Sequence, residues 1–212
     1  PMIVRVLIAA FTLSILPTTP VLAGTAALAE AKPAPEKGGA LESFKARHEA
    51  VMKLVKRRAK AKQIEAKVDQ LLDYAWLAQA SLGGPTRYEK KCKTRCEEFQ
   101  SLLTRLIREN YLKRIYLGDK GQIEYVGEEK RGRATKVTTR VKYKKDGRDV
   151  AVEIAYVMHQ VGAGWQVRDI ITDGVSLARN FKYEFGKILR EEGIDALVLR
   201  LENKLAELAK TP

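Results

Sequence analysis

Residues 137–171 read VTTRVKYKKDGRDVAVEIAYVMHQVGAGWQVRDII. Val137, Thr139, Val141 and Tyr143 alternate with polar residues, the period of a half-buried strand. Asp146-Gly147 follows, a hairpin turn signal because both residues tolerate positive φ. Val150, Val152, Ile154, Tyr156 and Met158 alternate next, then Gly162-Ala163-Gly164 turns the chain again. Trp165, Val167, Asp169 and Ile171 alternate in the last strand, and Ile123–Val126 upstream reads as a short edge strand. Together they predict an antiparallel meander over 122–172 with one apolar face.

On both sides the period changes to 3.6. Leu41, Phe44, His48, Val51 and Val55 share one helix face. Ile64, Val68, Leu71, Leu72 and Ala75 continue it, and Gly83-Gly84-Pro85 stops the helix. A third helix is expected from Tyr88 to Leu117, with Phe99, Leu103, Leu106, Ile107 and Tyr111 inward. After the sheet, Val175, Leu177, Phe181, Phe185 and Leu189 make one helix face. Gly193 interrupts, and Leu197, Leu201, Leu205 and Leu208 make a last amphipathic helix. The prediction is an α+β domain over 41–212: helices over 41–117, sheet over 122–172, helices over 175–209, with the helices wrapped on one sheet face.

The start of the chain has another character. Residues 2–29 (MIVRVLIAAFTLSILPTTPVLAGTAALA) carry one early cation, Arg5, an apolar run Val6–Leu16, and small-x-small sites ending at Ala23 and Ala29. That order predicts a signal peptide over 1–29, with a core too short to span a bilayer. Residues 30–40, EAKPAPEKGGA, read as a flexible leader. The expected compartment is therefore outside the cytoplasm.

The 212 residues carry a net charge of +13. Cleavage would remove only Arg5, so the exported chain stays strongly basic and favours anionic partners. The signal peptide, and the lack of aromatic residues interleaved with the basic ones, argue against nucleic acid. The basic stretches Lys53–Lys62 and Lys90–Arg95 are either solvated helix faces or a landing surface for anionic lipid or an acidic partner.

Signs of catalysis are sparse. His48 and His159 fall in different elements, and no zinc-ligand spacing, P-loop, GxSxG or GxGxxG occurs, so no metal and no cofactor are expected. Asp169 is the one acid on the apolar sheet face. Such an acid can act as a general base, or it can simply bond a nearby backbone group or Arg. Cys92 and Cys96 stand four apart in a predicted helix. They are either free thiols or a bridge that distorts the turn, and export favours the bridge.

The stretch Trp165–Phe181, WQVRDIITDGVSLARNF, resembles the W-x-V-x-D-(x)4-G-V-S-L-x-x-N-[YF] core of the MlaC family of periplasmic phospholipid-binding proteins. Phe185, Ile188, Gly193, Leu197 and Leu201 continue that resemblance. Upstream, Asp73-Tyr74…Ala78…Leu82-Gly83 and Phe99, Leu103, Leu106-Ile107, Tyr111 are similar to the family's helical segments. Gly84-Pro85-Thr86 and the Cys92–Cys96 stretch depart from its pattern.

The resemblance implies an NTF2-like curved sheet with lipid tails between sheet and helices, and no enzymatic activity. It implies a monomeric carrier of glycerophospholipid between an outer-membrane MlaA-like lipoprotein and an inner-membrane ABC complex with an MlaD-like component. Contact with the membrane surface would be transient. Alternatives are a hopanoid or other terpenoid-lipid carrier, and an enzyme on the same cone using Asp169. Periodicity cannot tell a filled core from a pocket, and the resemblance favours the pocket. Strand alternation and helix face then nominate its lining: Val137, Val141, Val152, Ile154, Tyr156, Trp165, Val167, Val175, Phe181 and Phe185, with Leu72, Leu103 and Ile107.

Overall fold

The computed structural model describes residues 38–119 and 121–210. The expected signal peptide, and all of the expected leader except residues 38–40, lie outside them. Five antiparallel strands follow one another in spatial order: β1 (Gln122–Arg131), β2 (Ala134–Lys145), β3 (Arg148–Val161), β4 (Gly164–Thr172) and β5 (Val175–Ser176). The β2–β3 turn is as expected, with Asp146 and Gly147 at φ 51° and 75°. The sheet is curved and open, and one face carries the core: Val137, Ile154, Tyr156, Met158, Val167 and Ile170 are buried. The other face is charged. There Arg140 pairs with Glu124 and Glu153, and Lys136 with Glu129.

Among the described residues seven α-helices accompany the sheet: α1 (Ala40–Lys56), α2 (Ala61–Asp69), α3 (Tyr74–Ser81), α4 (Pro85–Cys92), α5 (Cys96–Asp119), α6 (Leu177–Glu191) and α7 (Gly193–Lys210). Helix α1 begins at Ala40, inside the expected leader, because Ala40 is itself buried. Its Phe44, His48, Val51 and Val55 are buried as their spacing predicts.

The continuous helix expected through Ile64–Ala75 is two helices. Asp73 ends the first reading, because its carboxylate accepts the Trp76 N–H at 3.1 Å and caps α3. The chain between them lies along β4. Asp73 N–H donates to the Val167 carbonyl at 3.0 Å, and Val167 N–H to the Leu71 carbonyl at 2.9 Å. That pairing covers the edge of β4 that the two-residue β5 leaves open.

The third expected helix is also two. Pro85 starts α4 at a position that tolerates the missing N–H. Cys92 and Cys96 are bridged, with Cα atoms 4.8 Å apart. Lys93 between them has φ 51°, and a 3-10 turn, Lys93–Arg95, replaces the α-helical one. The bridge does distort the turn, as one of the two readings required.

The sharpest correction concerns β4. The pairing with β3 shifts between Val157 and Met158, so Val157 faces Asp169 while Met158 faces Val167. Arg168 is the extra residue of a β-bulge, which reverses the alternation beyond it. Ile170, not Ile171, is buried in the core, and Asp169 is turned off the apolar face. Val175 likewise opens no helix: it lies in β5, and α6 starts at Leu177.

Candidate functional site

The turn after β4 builds the site. Asp173 and Gly174 both adopt positive φ, 51° and 79°, which returns the chain as β5 alongside Ile171 and Thr172. Ser176 then caps α6: its hydroxyl accepts the Arg179 N–H at 3.1 Å. Asp169 holds this corner together. Its carboxylate accepts the Ile170 N–H and the Ala178 N–H, each at 2.9 Å, and the Ser176 hydroxyl. The D-(x)4-G-V-S-L pattern is therefore a corner brace: the acid and the capping serine bond to each other across a turn that Gly174 allows at φ 79°.

Between this corner and α5 opens a cleft of about 350 Å³. Ile107, Asn110, Tyr111 and Arg114 line it from α5. Ile170, Thr172 and Asp173 line it from β4 and its turn, Val175 from β5, and Leu177 and Asn180 from α6. Most of the lining is apolar. Arg114 spans the mouth by donating to the Thr172 hydroxyl. Asn110 and Asn180 bond within their own helices, to the Leu106 carbonyl at 2.9 Å and the Glu184 carboxylate at 3.1 Å.

Tyr111 stands apart. Its side chain is 3% exposed, and its hydroxyl is the one buried side-chain polar atom without a partner among the described residues. Burial pushes its pKa well above the usual tyrosine value, so it stays protonated. A buried donor without an acceptor costs stability, and this one lines a cleft.

Of the thirteen nominated residues, Ile107 and Val175 line the cleft. Val175 is 61% exposed, so it belongs to the rim. Leu72, Leu103, Val137, Ile154, Tyr156, Val167, Phe181 and Phe185 are buried in the core beneath. Val141, Val152 and Trp165 pack partly buried against that core. Sequence reasoning did not nominate Asn110, Tyr111, Arg114, Ile170, Thr172, Asp173, Leu177 and Asn180 as lining. Asn180 and Leu177 lie within the resembling motif, and Tyr111 is a polar-tipped ring on an apolar helix face, so those three had a signal. Ile170 had none, because the bulge hides it.

The histidines are structural. His48 is stacked on Phe44 and bonds Tyr125 Oη through Nδ1 at 2.9 Å. Its pKa is lowered to about 4 by burial. His159 stacks on Trp76, and burial and the Arg168 charge lower its pKa. Among the described residues no group of three or more His, Cys, Asp or Glu is placed to hold a metal ion. No helix among them is long and apolar enough to cross a membrane.

A curved antiparallel sheet, helices on one face and a largely apolar cleft at the sheet's last corner define an α+β protein with an open sheet. The chain belongs to the MlaC family: the family described as MlaC protein matches residues 45–203. A solved structure, described as the phospholipid-binding protein from Ralstonia solanacearum in complex with a phospholipid, shares the fold. Its TM-score is 0.64 at 21% sequence identity, covering 82% of this chain and 100% of that one. The comparison with curated proteins gives no match.

Proposed function

We propose that this chain is a periplasmic carrier of glycerophospholipid, with its acyl chains held between α5, α6 and the sheet. The observation that carries the reading is the apolar cleft with the orphaned Tyr111 hydroxyl, in a chain of the MlaC family. The phospholipid bound to the Ralstonia protein of the same fold supports it.

The energetics set the task. Two acyl chains of roughly 30 methylenes lose over ~20 kcal/mol when exposed to water, at about 0.8 kcal/mol each. A carrier must replace nearly all of that. In this reading the tails reach beyond the cleft by parting α5 and α6 from the sheet. Nine of the nominated residues would then become tail contacts: Leu72, Leu103, Val137, Ile154, Tyr156, Val167, Phe181 and Phe185 in the core, and Ile107 at its cleft wall. Val141, Val152, Trp165 and Val175 would form the margin. Arg114 at the mouth supplies positive charge for the phosphate, while the rest of the headgroup stays in water at little desolvation cost. This predicts tolerance to headgroup type.

In this reading residues 1–29 direct export, and 41–212 form one lipid-binding domain. The carrier is monomeric. It collects from and delivers to an outer-membrane MlaA-like lipoprotein and an inner-membrane MlaD-like ABC complex. An enzyme using Asp169 as base is the weaker reading, because that carboxylate already accepts three hydrogen bonds in the corner brace.

The test is organic extraction of the protein purified from its native compartment, followed by mass spectrometry. Stoichiometric glycerophospholipid is the expected result. A terpenoid would keep the carrier and change its cargo, and an extract free of lipid would overturn the reading.

A further inference from the structure

Away from the cleft, two glycine-spaced pairs of cations stand on α4 and α6, helices that both pack against α3. On one, Arg87 and Lys91 stand four apart on α4 and fold back over Gly83. The space where a Gly83 side chain would begin is 3.4 Å from Arg87 Cδ and 3.5 Å from Lys91 Nζ. On the other, Lys182 and Arg190 stand eight apart on α6 with Gly186 between them, and Arg190 Nη1 approaches the same point on Gly186 to 3.4 Å. At 100° per residue, Lys182, Gly186 and Arg190 share a flank of α6 opposite the one carrying Leu177 and Asn180.

The Lys91 ammonium feels burial first and then repulsion from Arg87, Arg190 and Lys182, which together lower its pKa. None of these four cations has an ion pair with an acid among the described residues, although Arg95 nearby pairs with both Glu98 and Asp195. Compact like charges without a counter-charge destabilise a fold by self-repulsion. Tyr183 adds a second observation. Among the described residues it is the most exposed of the large apolar side chains, at 75%, and stands on α6 beside Lys182 and seven residues before Arg190. An exposed tyrosine flanked by cations matches the chemistry of a bilayer headgroup layer, where the ring sits at the interface and the cations meet phosphates.

We propose that Arg87, Lys91, Lys182 and Arg190, with Tyr183, form a docking site for the phosphates of an anionic bilayer surface, separate from the cargo cleft. It rests on the carrier reading only in supplying a reason to visit membranes. The α4–α6 face touches headgroups and holds the protein at the membrane. The cleft, on the other flank of α6, remains free for exchange.

The test is co-sedimentation of the exported chain with vesicles of phosphatidylcholine alone and with about one third phosphatidylglycerol, at low and raised salt. The wild type should bind only the anionic vesicles, and salt should release it. Changing all four cations to Gln should weaken binding at least tenfold. An equal charge removal in the other basic stretch, Lys53, Lys56, Arg57 and Lys60 to Gln, should weaken it about twofold or less. Tyr183→Ser should weaken it without changing the salt dependence. Equal losses in the two quadruple variants would overturn the site, since net charge alone would then explain binding. So would saturation by inorganic phosphate at fixed ionic strength with no affinity for vesicles, which would make the ligand a free anion. Lipid extracted from the same variants keeps the two readings apart. A cluster variant that binds no vesicles yet carries its lipid leaves the cargo reading standing, and wild type that carries lipid yet ignores anionic vesicles defeats the docking site alone.

Discussion

Around His48 and around Tyr111 the interior is made of the same materials, aromatic rings with polar tips, arranged to different ends. Near His48, Phe44 lies on Tyr156 with ring centroids 4.2 Å apart, and the imidazole takes the Tyr125 hydroxyl as its partner. Every ring there has a neighbour and His48 has its bond. Near Tyr111 the hydroxyl is buried without one, and its surroundings open into a cleft. Folding rewards the first arrangement. The second costs stability and makes sense where a ligand completes it.

The contrast can be broken by substitution. Phe44→Ala should show the largest effect, a loss of about 3–5 kcal/mol in a urea titration, because it removes a fully buried ring from the closed region. A loss under 1 kcal/mol would mean that region is loosely packed.

Acid should act on the same region. The folded pKa of His48 is depressed from 6.5 to about 4. Between those values the unfolded chain binds the extra proton, so stability rises with pH across the window and is lost as pH falls from 6.5 toward 4. The full span is worth roughly 3 kcal/mol, at about 1.4 kcal/mol per unit. Denaturant melts from pH 7 to 4 should show the decline, and His48→Phe should flatten it.

Asp169→Ala removes the acceptor of three corner bonds and should cost about 2–3 kcal/mol. If it also lowers lipid retention, the corner shapes the cleft. Unchanged stability would leave the corner brace without a role.

The smallest effects give the sharpest comparison, because they differ in sign. Tyr125→Phe deletes a satisfied hydroxyl and should destabilise by about 1 kcal/mol, whereas Tyr111→Phe deletes an orphaned one and should stabilise by up to about 1 kcal/mol in lipid-free protein. Tyr111→Phe should also weaken lipid retention. Loss of stability in both variants would mean that Tyr111 has a partner in solution.

Much of this architecture could be read from periodicity. The hairpin at Asp146-Gly147, the alternation of β2 and β3, and the buried stripe of α1 all depend on neighbours in sequence, so they survive without tertiary information. The misses share a cause. The helix expected across Gln70–Asp73 breaks because Leu71 and Asp73 bond to β4, which is about 95 residues away. The helix expected across Cys92 breaks because a covalent bond overrules propensity. Ile170 and Asp169 exchange places because one bulge shifts the register, and a period-2 pattern carries no record of an inserted residue.

The lining was legible to a smaller degree. The nominated residues are mostly inward-facing, as alternation requires, yet only Ile107 and Val175 reach the cleft. Alternation reports which face a side chain takes, but it does not report how far two packed layers separate. From the amino-acid order came the α+β plan, the apolar faces of helix and sheet, and the motif that closes the β4–α6 corner, because each is set by the local geometry of a few successive residues. The tertiary structure alone decided where the layers part, which tyrosine is left without a partner, and that α4 and α6 both pack against α3. Those depend on distances between segments that the chain connects only through the rest of the fold.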